Sequence, residues 1–291
     1  METVAIFGVG LIGGSFALAL RKAGFTGRII GVLSDPTIQT ALDARVIDQA
    51  LPPQQAAGQA DLVYLAQPIH KIIECLEELD AWVQPGTLIT DAGSTKELIV
   101  QTANQKISRG RFLGGHPMAG RERRGVEAAD ADLFQGRPYV LTPRSPADLD
   151  HPAARDFLNW IPRMGSFPFI LDAQTHDQTV AFTSHLPQIA STALAALLEN
   201  RPQTQARVYG PGLVDSTRLA LSSFDIWGDI FDTNRDAIRL ALESYIAKLE
   251  EFHTALGRPR LGLRVGVPDG EHIRRDFDAG ARFAGRLRDL S

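Results

Sequence analysis

The stretch VAIFGVGLIGGS, residues 4–15, decides the fold of this chain. Its first four residues favour a β-strand, and the apolar residues from Leu11 to Ala23 follow helical spacing. Between them, Gly8, Gly10 and Gly13 permit a tight turn, close approach of a phosphate and close packing of the helix on the strand. This order predicts a dinucleotide-binding unit in which a pyrophosphate lies at the amino terminus of the helix.

Strands and helices then alternate along the first part of the chain. Further strands are predicted at residues 28–32, 61–66, 87–91, 112–115, 139–143 and 167–171, with helices at 37–45 and 70–79. From residue 173 onward, helical spacing replaces the strand pattern. We therefore predict an α/β chain in which a Rossmann-like, doubly wound, mostly parallel sheet forms a dinucleotide-binding domain, residues 1–172. An all-helical substrate and dimerisation domain, residues 173–291, follows it.

The helical domain carries an apolar stripe that needs a partner. A helix is expected over residues 173–185, where Pro187 ends or kinks it, and a longer helix follows Asn234. The apolar positions of the longer helix recur with the helical period, at Ile238, Ala241, Leu242, Tyr245, Leu249, Phe252 and Leu256. Because helices of this length commonly pair across a two-fold axis, we expect a homodimer through this domain.

The ligand site is expected at the carboxyl edge of the sheet, where the sequence motifs gather. We predict that a dinucleotide contacts residues at these strand ends, namely Gly8, Gly10, Leu11, Ile12, Gly13, Ser34, Gln67 and Pro68. An acid after the second strand would indicate NAD, and an arginine would indicate NADP. Leu33, Ser34 and Asp35 stand there instead, so the cofactor is NAD or NADP and the preference stays open.

One histidine lies in a glycine-rich motif at this edge, GGHPMAG at residues 114–120. Pro117 keeps His116 away from helical geometry, so its imidazole is expected on an extended or turn backbone, presented rather than packed. We predict that His116 is a catalytic base, because an imidazole titrates near neutral pH. The alternative is a histidine in an ordinary surface loop.

A hydroxyl follows another strand at the same edge, in DAGSTK at residues 91–96. Ser94 is the second candidate catalytic residue. The alternative is that Ser94 or Thr95 caps the next helix, whose first turn contains Glu97.

Cationic side chains complete the candidate site. Arg121 directly follows the histidine motif and is suited to holding a carboxylate, as is Arg218 in the helical half, for which Asp215 is the local alternative partner. His185 lies beside the predicted kink and can turn toward a cleft. His176 falls on the opposite face of the same helix and is expected to be exposed or structural, so the two cannot share a metal ion.

Composition limits the classes of partner. The charge count of 30 basic and 34 acidic residues gives −4, so we expect a small-molecule substrate rather than nucleic acid or an anionic membrane. Cys75 is the single cysteine, which argues against a disulfide, a zinc site or an iron–sulfur centre. With neither a signal peptide nor an apolar run of membrane length in the sequence, we expect a cytoplasmic protein without a metal.

Together these motifs resemble the prephenate and arogenate dehydrogenase family of tyrosine biosynthesis. The resemblance runs through GVGLIGGS, DAGSTK, GGHPMAG, TSHLPQ, DSTR and IWGD, and so covers the chain up to about Leu256. It implies oxidative decarboxylation: hydride passes to the nicotinamide from the ring carbon that bears the hydroxyl, and loss of carbon dioxide yields a phenol. Departures occur at Leu33, where an acid would signal NAD, and at Val214, where some members carry a lysine.

The resemblance also implies roles for single residues. His116 would accept the proton of the ring hydroxyl, and Ser94 would bond the same hydroxyl or hold His116 and the nicotinamide in register. Arg218 would bind a substrate carboxylate, and His185 would hold the substrate from the helical side. Arg121 departs from the family pattern, being more basic than expected directly after the motif, and we hypothesise that it favours the 2-oxo acid side chain of prephenate over the ammonium-bearing side chain of arogenate.

Two other functions remain open at this point. One is a different two-domain dehydrogenase, of the β-hydroxyacid or pyrroline-carboxylate reductase type, which shares the glycine turn and a helical second domain. Its acid–base group would come from the helical half. The other is a protein that senses NAD(P) without catalysis.

Overall fold

A computed structural model of the chain describes residues 1–32, 37–121, 123–201, 208–257 and 270–289. The chain forms two compact units, Met1–Arg235 and Asp236–Ser291. Within the first unit, the last strand ends at Ile170 and a series of helices begins at Ala173. The division into folding domains after residue 172 stays a prediction.

A sheet of eight strands, counted over the described residues, forms the centre of the first unit. The strands are β1 (Thr3–Phe7), β2 (Arg28–Val32), β3 (Gln49–Ala50), β4 (Leu62–Leu65), β5 (Leu88–Asp91), β6 (Arg111–Pro117), β7 (Pro138–Thr142) and β8 (Phe167–Ile170). They lie in the order β3-β2-β1-β4-β5-β6-β7-β8, and β6 and β7 form the antiparallel pair among otherwise parallel neighbours. The predicted doubly wound, mostly parallel sheet is therefore confirmed.

Helices connect the strands of this sheet: α1 (Leu11–Lys22), α2 (Thr37–Asp43), α3 (Pro53–Gly58), α4 (Ile69–Trp82), α5 (Glu97–Lys106) and α6 (Pro152–Arg163). The central strands β4 and β5 are buried at every residue, which explains their nearly continuous apolar sequence. Phe16 of α1 stacks on Tyr64 of β4 with ring centroids 3.8 Å apart. This packing fixes α1 over the middle of the sheet.

The glycine turn between β1 and α1 is dictated by close backbone contacts. Gly8 has a φ angle of +92°, and a Cβ there would lie 2.8 Å from the carbonyl oxygen of Ala66. A Cβ at Gly13 would lie 2.2 Å from the carbonyl oxygen of Gly8. A Cβ at Gly10, by contrast, would meet nothing within 4 Å. Gly8 and Gly13 thus serve the packing of the turn, and Gly10 leaves space at the helix terminus.

The strand β6 continues two residues beyond the predicted end and includes His116. It pairs with β7 so that His116 lies opposite Val140 and Pro117 opposite Tyr139. Pro117 lies at the last position of the strand, where its fixed φ angle suits an extended backbone. The extended backbone expected for His116 is therefore confirmed, but the residue belongs to the sheet rather than to a turn.

The second half of the first unit is helical, as predicted. It contains α7 (Ala173–Val180), a wide π-helical turn (Ala181–His185), α8 (Leu186–Glu199), α9 (Pro211–Thr217) and α10 (Phe224–Thr233). Pro187 does not end the helix, because the helical path runs through the π turn into α8, and the predicted kink stays a prediction. Pro187 lies in the first turn of α8, where a missing backbone N–H costs least.

The helices α11 (Arg235–Gly257) and α12 (Gly270–Asp289) account for the described part of the second unit. Of the predicted apolar stripe, Ile238 and Ala241 are buried, whereas Leu249 and Leu256 are 49% and 65% exposed. Glu251 forms ion pairs with Lys248 and His272. None of the described helices is both long and apolar enough to cross a membrane.

The glycine contacts predict a difference between two alanine substitutions. We expect Gly13→Ala to lower the free energy of unfolding by about 1–3 kcal/mol, because its Cβ forces the backbone at Gly8 to move. Gly10→Ala is the matched control and should lie within about 1 kcal/mol of the wild type. Urea unfolding of both variants measures the difference, and equal losses would contradict the packing role of Gly13.

Candidate active site

A cavity of about 340 Å³ opens at the carboxyl edge of the sheet, within the size range of ligand pockets. The glycine turn, the ends of β4 and β5, the loop after β6 and α10 form its walls. Of the predicted site residues, it collects Gly10, Leu11, Ile12, Gln67, Pro68, Ser94 and Arg121. Gly8 and Gly13 support the turn that shapes this wall, and Ser34 lies outside the described residues.

The cavity wall around the glycine turn fits a dinucleotide. Helix α1 begins at Leu11, so its first backbone N–H groups and its positive dipole end lie at the cavity. The space above Gly10 lets a phosphate approach these groups. Gly10, Leu11 and Ile12 would hold the pyrophosphate, while Gln67 and Pro68 form the adjacent wall at the end of β4.

His116 is buried, with 9% of its surface exposed. Its Nδ1 lies 2.8 Å from Nε2 of His176 in α7. The expectation of a presented rather than packed imidazole is thus wrong, because α7 packs over this end of β6. The prediction that His176 is exposed or structural also needs correction, since His176 is fully buried and contacts the candidate base.

A chain of hydrogen bonds continues from His176 to the start of helix α5. Nδ1 of His176 lies 2.7 Å from Oδ1 of Asp177. The same carboxylate accepts the backbone N–H groups of Lys96 at 2.7 Å and Glu97 at 2.9 Å. Asp177 therefore caps α5 from another helix. The alternative in which Ser94 or Thr95 caps this helix is wrong, because neither side chain bonds its amino terminus.

Burial keeps the histidines neutral. Burial is the main cause that holds the pKa of His116 well below 6.5, and the charges of His176, Lys96 and His185 lower it further. Burial also lowers the pKa of His176, against the raising effect of its hydrogen bond to Asp177. His116 can therefore accept a proton at neutral pH, as a general base must.

Lys96 and Asp91 form a fully buried ion pair at the end of β5. Asp91 also accepts the backbone N–H groups of Gly93 at 2.8 Å and Gly115 at 3.0 Å. Burial lowers the pKa of Lys96, while the charge of Asp91 opposes this effect. The pair holds together the loop that carries Ser94 and the strand that carries His116. Ser94 itself is half-buried in the cavity wall.

His185 is buried in the helical part rather than placed in the cavity wall, with 1% of its surface exposed. Its ring meets that of Trp227 edge to face at a centroid distance of 5.8 Å. Nδ2 of Asn234 lies 3.3 Å from Nδ1 of His185 and donates to the backbone carbonyl of Asp177 at 2.8 Å. Burial lowers the pKa of His185 to about 4. Its predicted contact with substrate stays a prediction.

The two predicted carboxylate-binding arginines occupy different places. Arg121 lines the cavity and forms an ion pair with Asp130 at 2.5 Å. Arg218 begins a short turn, Arg218–Leu221, and is exposed at a position outside the lining of this cavity. The structure therefore brings Arg121, but not Arg218, to the wall shared by the glycine turn and Ser94.

Sequence reasoning missed the residues behind His116, namely Lys96, His176, Asp177 and Asn234. One signal was available: an adjacent His176–Asp177 pair follows the last strand, close to where the helices begin. The pairing with His116 was not visible, because the two histidines are 60 residues apart in the chain.

The fold and the site define an NAD(P)-dependent oxidoreductase with a helical second half. A family model for the nucleotide-binding domain of prephenate dehydrogenase matches residues 16–158, and the corresponding dimerization-domain model matches residues 172–261. The prephenate dehydrogenase of Bacillus subtilis (strain 168) is 35% identical over 260 residues, 87% of this chain and 70% of the relative. The chain belongs to the prephenate dehydrogenase family.

Solved structures agree with this assignment. The crystal structure of prephenate dehydrogenase from A. aeolicus in complex with hydroxyphenyl propionate and NAD+ has a TM-score of 0.81 at 28% identity, covering 99% of this chain and 96% of that one. The Synechocystis arogenate dehydrogenase has a TM-score of 0.77 at 26% identity, covering 99% and 100% of the two chains. The chain is thus similar in structure to both a prephenate and an arogenate dehydrogenase.

The buried ion pair predicts a loss of stability that charge removal should reverse. We expect Lys96→Met to lower the free energy of unfolding by about 3–5 kcal/mol, since it leaves Asp91 as an unpaired buried charge. The double variant Lys96→Met/Asp91→Asn should recover part of this loss. Urea unfolding at pH 7 measures both. A double variant no more stable than the single one would show that Lys96 acts through packing rather than charge.

Proposed function

We propose that this chain catalyses the NAD(P)-dependent oxidative decarboxylation of prephenate or arogenate. The observation that carries the proposal is a buried, neutral His116 near the end of β6, at the same carboxyl edge of the sheet as the glycine turn. The glycine turn and Ser94 line the cavity of about 340 Å³, whereas His116 is outside its lining, so the proposal requires a ring alcohol bound there to reach His116. Family membership supplies the substrate class.

The chemistry requires one proton acceptor and orientation of the substrate. A bound nicotinamide supplies the acceptor for hydride from the carbon that bears the hydroxyl. His116 accepts the hydroxyl proton as the carbonyl develops, and the bond between the ring and its carboxylate breaks to release carbon dioxide. The electron pair of that bond enters the ring to give a phenolate, which takes the proton back from His116 to form the phenol. Because aromatisation drives the reaction, positioning contributes more here than a strong nucleophile.

Other residues are proposed to hold the substrate. Ser94, in the cavity wall, would bond the ring hydroxyl or keep it in register with His116. Arg121 offers a cation in the same wall. Arg218 and His185 remain the proposed contacts from the helical half, for a substrate carboxylate and the substrate body respectively.

The proposed active form is a homodimer through the helical domain, in the cytoplasm. Residues 172–261 match the dimerization domain of the family, and this range includes α8 to α11. Leu240, Leu249 and Leu256 on α11 are 62%, 49% and 65% exposed, which is unusual for a helix whose apolar residues recur with the helical period. A second copy of the chain would cover these side chains.

The proposed function predicts the effect of removing the base. We expect His116→Asn to lower kcat at least ~10²-fold while substrate binding persists, because the amide cannot accept the proton. Formation of reduced nicotinamide is measured with prephenate and arogenate, each with NAD and NADP. His151→Asn, at the opposite edge beside the start of β5, is the matched control and should keep wild-type activity.

The pH profile provides a second readout of the same assay. Since the pKa of His116 is held well below 6.5, the base is lost only as pH falls through that lowered value. The acid limb of the wild-type profile should therefore lie below pH 6.5. Binding of NAD or NADP without turnover of either substrate would instead indicate a protein that senses the dinucleotide.

Arg121 is proposed to set the preference between the two substrates. We expect Arg121→Ala to reduce kcat/KM for prephenate relative to arogenate by about tenfold, because the guanidinium attracts the 2-oxo acid and repels the ammonium group. Arg124→Ala is the matched control in the same loop, where Arg124 pairs with Asp225 at 3.1 Å. An unchanged substrate ratio in Arg121→Ala would remove the proposal, and equal shifts in both variants would assign the effect to the loop's total charge.

A further inference from the structure

We propose that His176 and Asp177 are positioning residues that fix which nitrogen of His116 is basic. The hydrogen-bond chain from Asp177 through His176 to His116 makes Nδ1 of His116 the protonated nitrogen and leaves the lone pair on Nε2. This inference rests on the proposed function, in which His116 takes the proton of the ring hydroxyl.

The chain of hydrogen bonds starts at the carboxylate of Asp177, which acts as an acceptor. Asp177 accepts two backbone N–H groups at the amino terminus of α5, from Lys96 at 2.7 Å and from Glu97 at 2.9 Å. Both of its oxygens thus act as acceptors at the amino terminus of the helix. With both oxygens accepting, Nδ1 of His176, 2.7 Å from Oδ1, must be the donor.

The next step follows from the single N–H of a neutral imidazole. Burial lowers the pKa of His176, and its one hydrogen lies on Nδ1, so Nε2 of His176 is an acceptor. Nδ1 of His116, at 2.8 Å from that atom, must then donate. Nε2 of His116 keeps its lone pair and is the basic nitrogen.

Burial makes the opposite arrangement costly. The side chains of His176 and Asp177 are 0% and 2% exposed, so water cannot replace a lost partner. If His176 carried its proton on Nε2, the lone pair on its Nδ1 would face the carboxylate of Asp177. If His116 carried its proton on Nε2, the lone pairs on His116 Nδ1 and His176 Nε2 would face each other. Leaving such buried groups unsatisfied costs about 1–3 kcal/mol each, enough to select one tautomer.

The hydrogen bond between His116 and His176 can be kept in both protonation states of His116. The groups that act on its charge are Lys96, His176 and His185, which lower its pKa, and burial acts in the same direction. The hydrogen bond from Asp177 has the opposite effect on the neighbouring histidine, because it raises the pKa of His176. Protonation of His116 on Nε2 leaves the hydrogen bond from its Nδ1 in place, so the hydrogen bonds from Asp177 through His176 to His116 need not rearrange during turnover.

The decisive measurement is the tautomer of His116, read from nitrogen NMR of protein labelled with ¹⁵N-histidine. The resonances of His116 are assigned as those missing from His116→Asn. In the wild type at pH 7.5, we expect the proton on Nδ1 and a proton-free Nε2. A proton on Nε2 would overturn the proposal without reference to any variant.

Variants at His176 separate positioning from a structural role. His176→Gln keeps one donor and one acceptor and should retain the Nδ1–H tautomer of His116, whereas His176→Phe keeps the ring's bulk and should produce a mixture of tautomers. Thr233→Val removes a hydrogen bond of 2.8 Å between Thr233 and Thr95, which is not part of the hydrogen-bond chain from Asp177 to His116. This control should leave the tautomer unchanged even if stability falls.

Kinetics then connects the tautomer to catalysis. We expect His176→Phe to lower kcat about 10²-fold with KM changed less than about threefold, and His176→Gln to recover at least tenfold of that loss. Equal kcat losses in the Phe and Gln variants, or an unchanged tautomer in His176→Phe, would overturn the proposal. If the wild type turns over neither substrate, the proposed function fails, and the NMR measurement still decides the tautomer.

Discussion

The structure of the candidate site depends on one buried carboxylate, that of Asp177. It caps α5 through two backbone N–H groups and holds His176, while its own backbone carbonyl accepts a hydrogen bond from Asn234. Four segments of the first unit thus meet at a single residue: the loop after β5, the start of α5, the helix α7 and the end of α10. Because a buried carboxylate tolerates few arrangements, this contact fixes the position of α7 over the sheet.

The site also contains a buried ion pair. Lys96 and Asp91 pair without exposure to solvent, and Asp91 also bonds the backbone at Gly93 and Gly115. Replacing such a pair with apolar residues is often neutral for stability, so its value here is positional. It ties the loop of Ser94 to the strand of His116. The site therefore combines a buried ion pair with buried, neutral histidines.

In this member of the prephenate dehydrogenase family, the candidate base lies in the sheet-forming half. The alternative two-domain dehydrogenases would draw their acid–base group from the helical half, whereas the candidate base here ends a strand. The helical segments contribute instead by burying His116 and by supplying His176 as its hydrogen-bond partner. Burial that lowers the pKa of an imidazole and a hydrogen bond that orients it are complementary requirements for a base.

The sequence by itself determined the sheet, the glycine turn and the place of His116, because these follow from local properties: strand and helix periods, the φ angle at Gly8, and the constraint of Pro117. It also placed Ser94 and Arg121 at the carboxyl edge of the parallel strands. Tertiary structure alone decided what surrounds His116. The partners of that residue and of α5 lie 60 and 81 residues away along the chain, and no local pattern reports which distant side chains packing will join. For the same reason, the continuation of the helix through Pro187 and the capping of α5 by Asp177 became visible only in three dimensions.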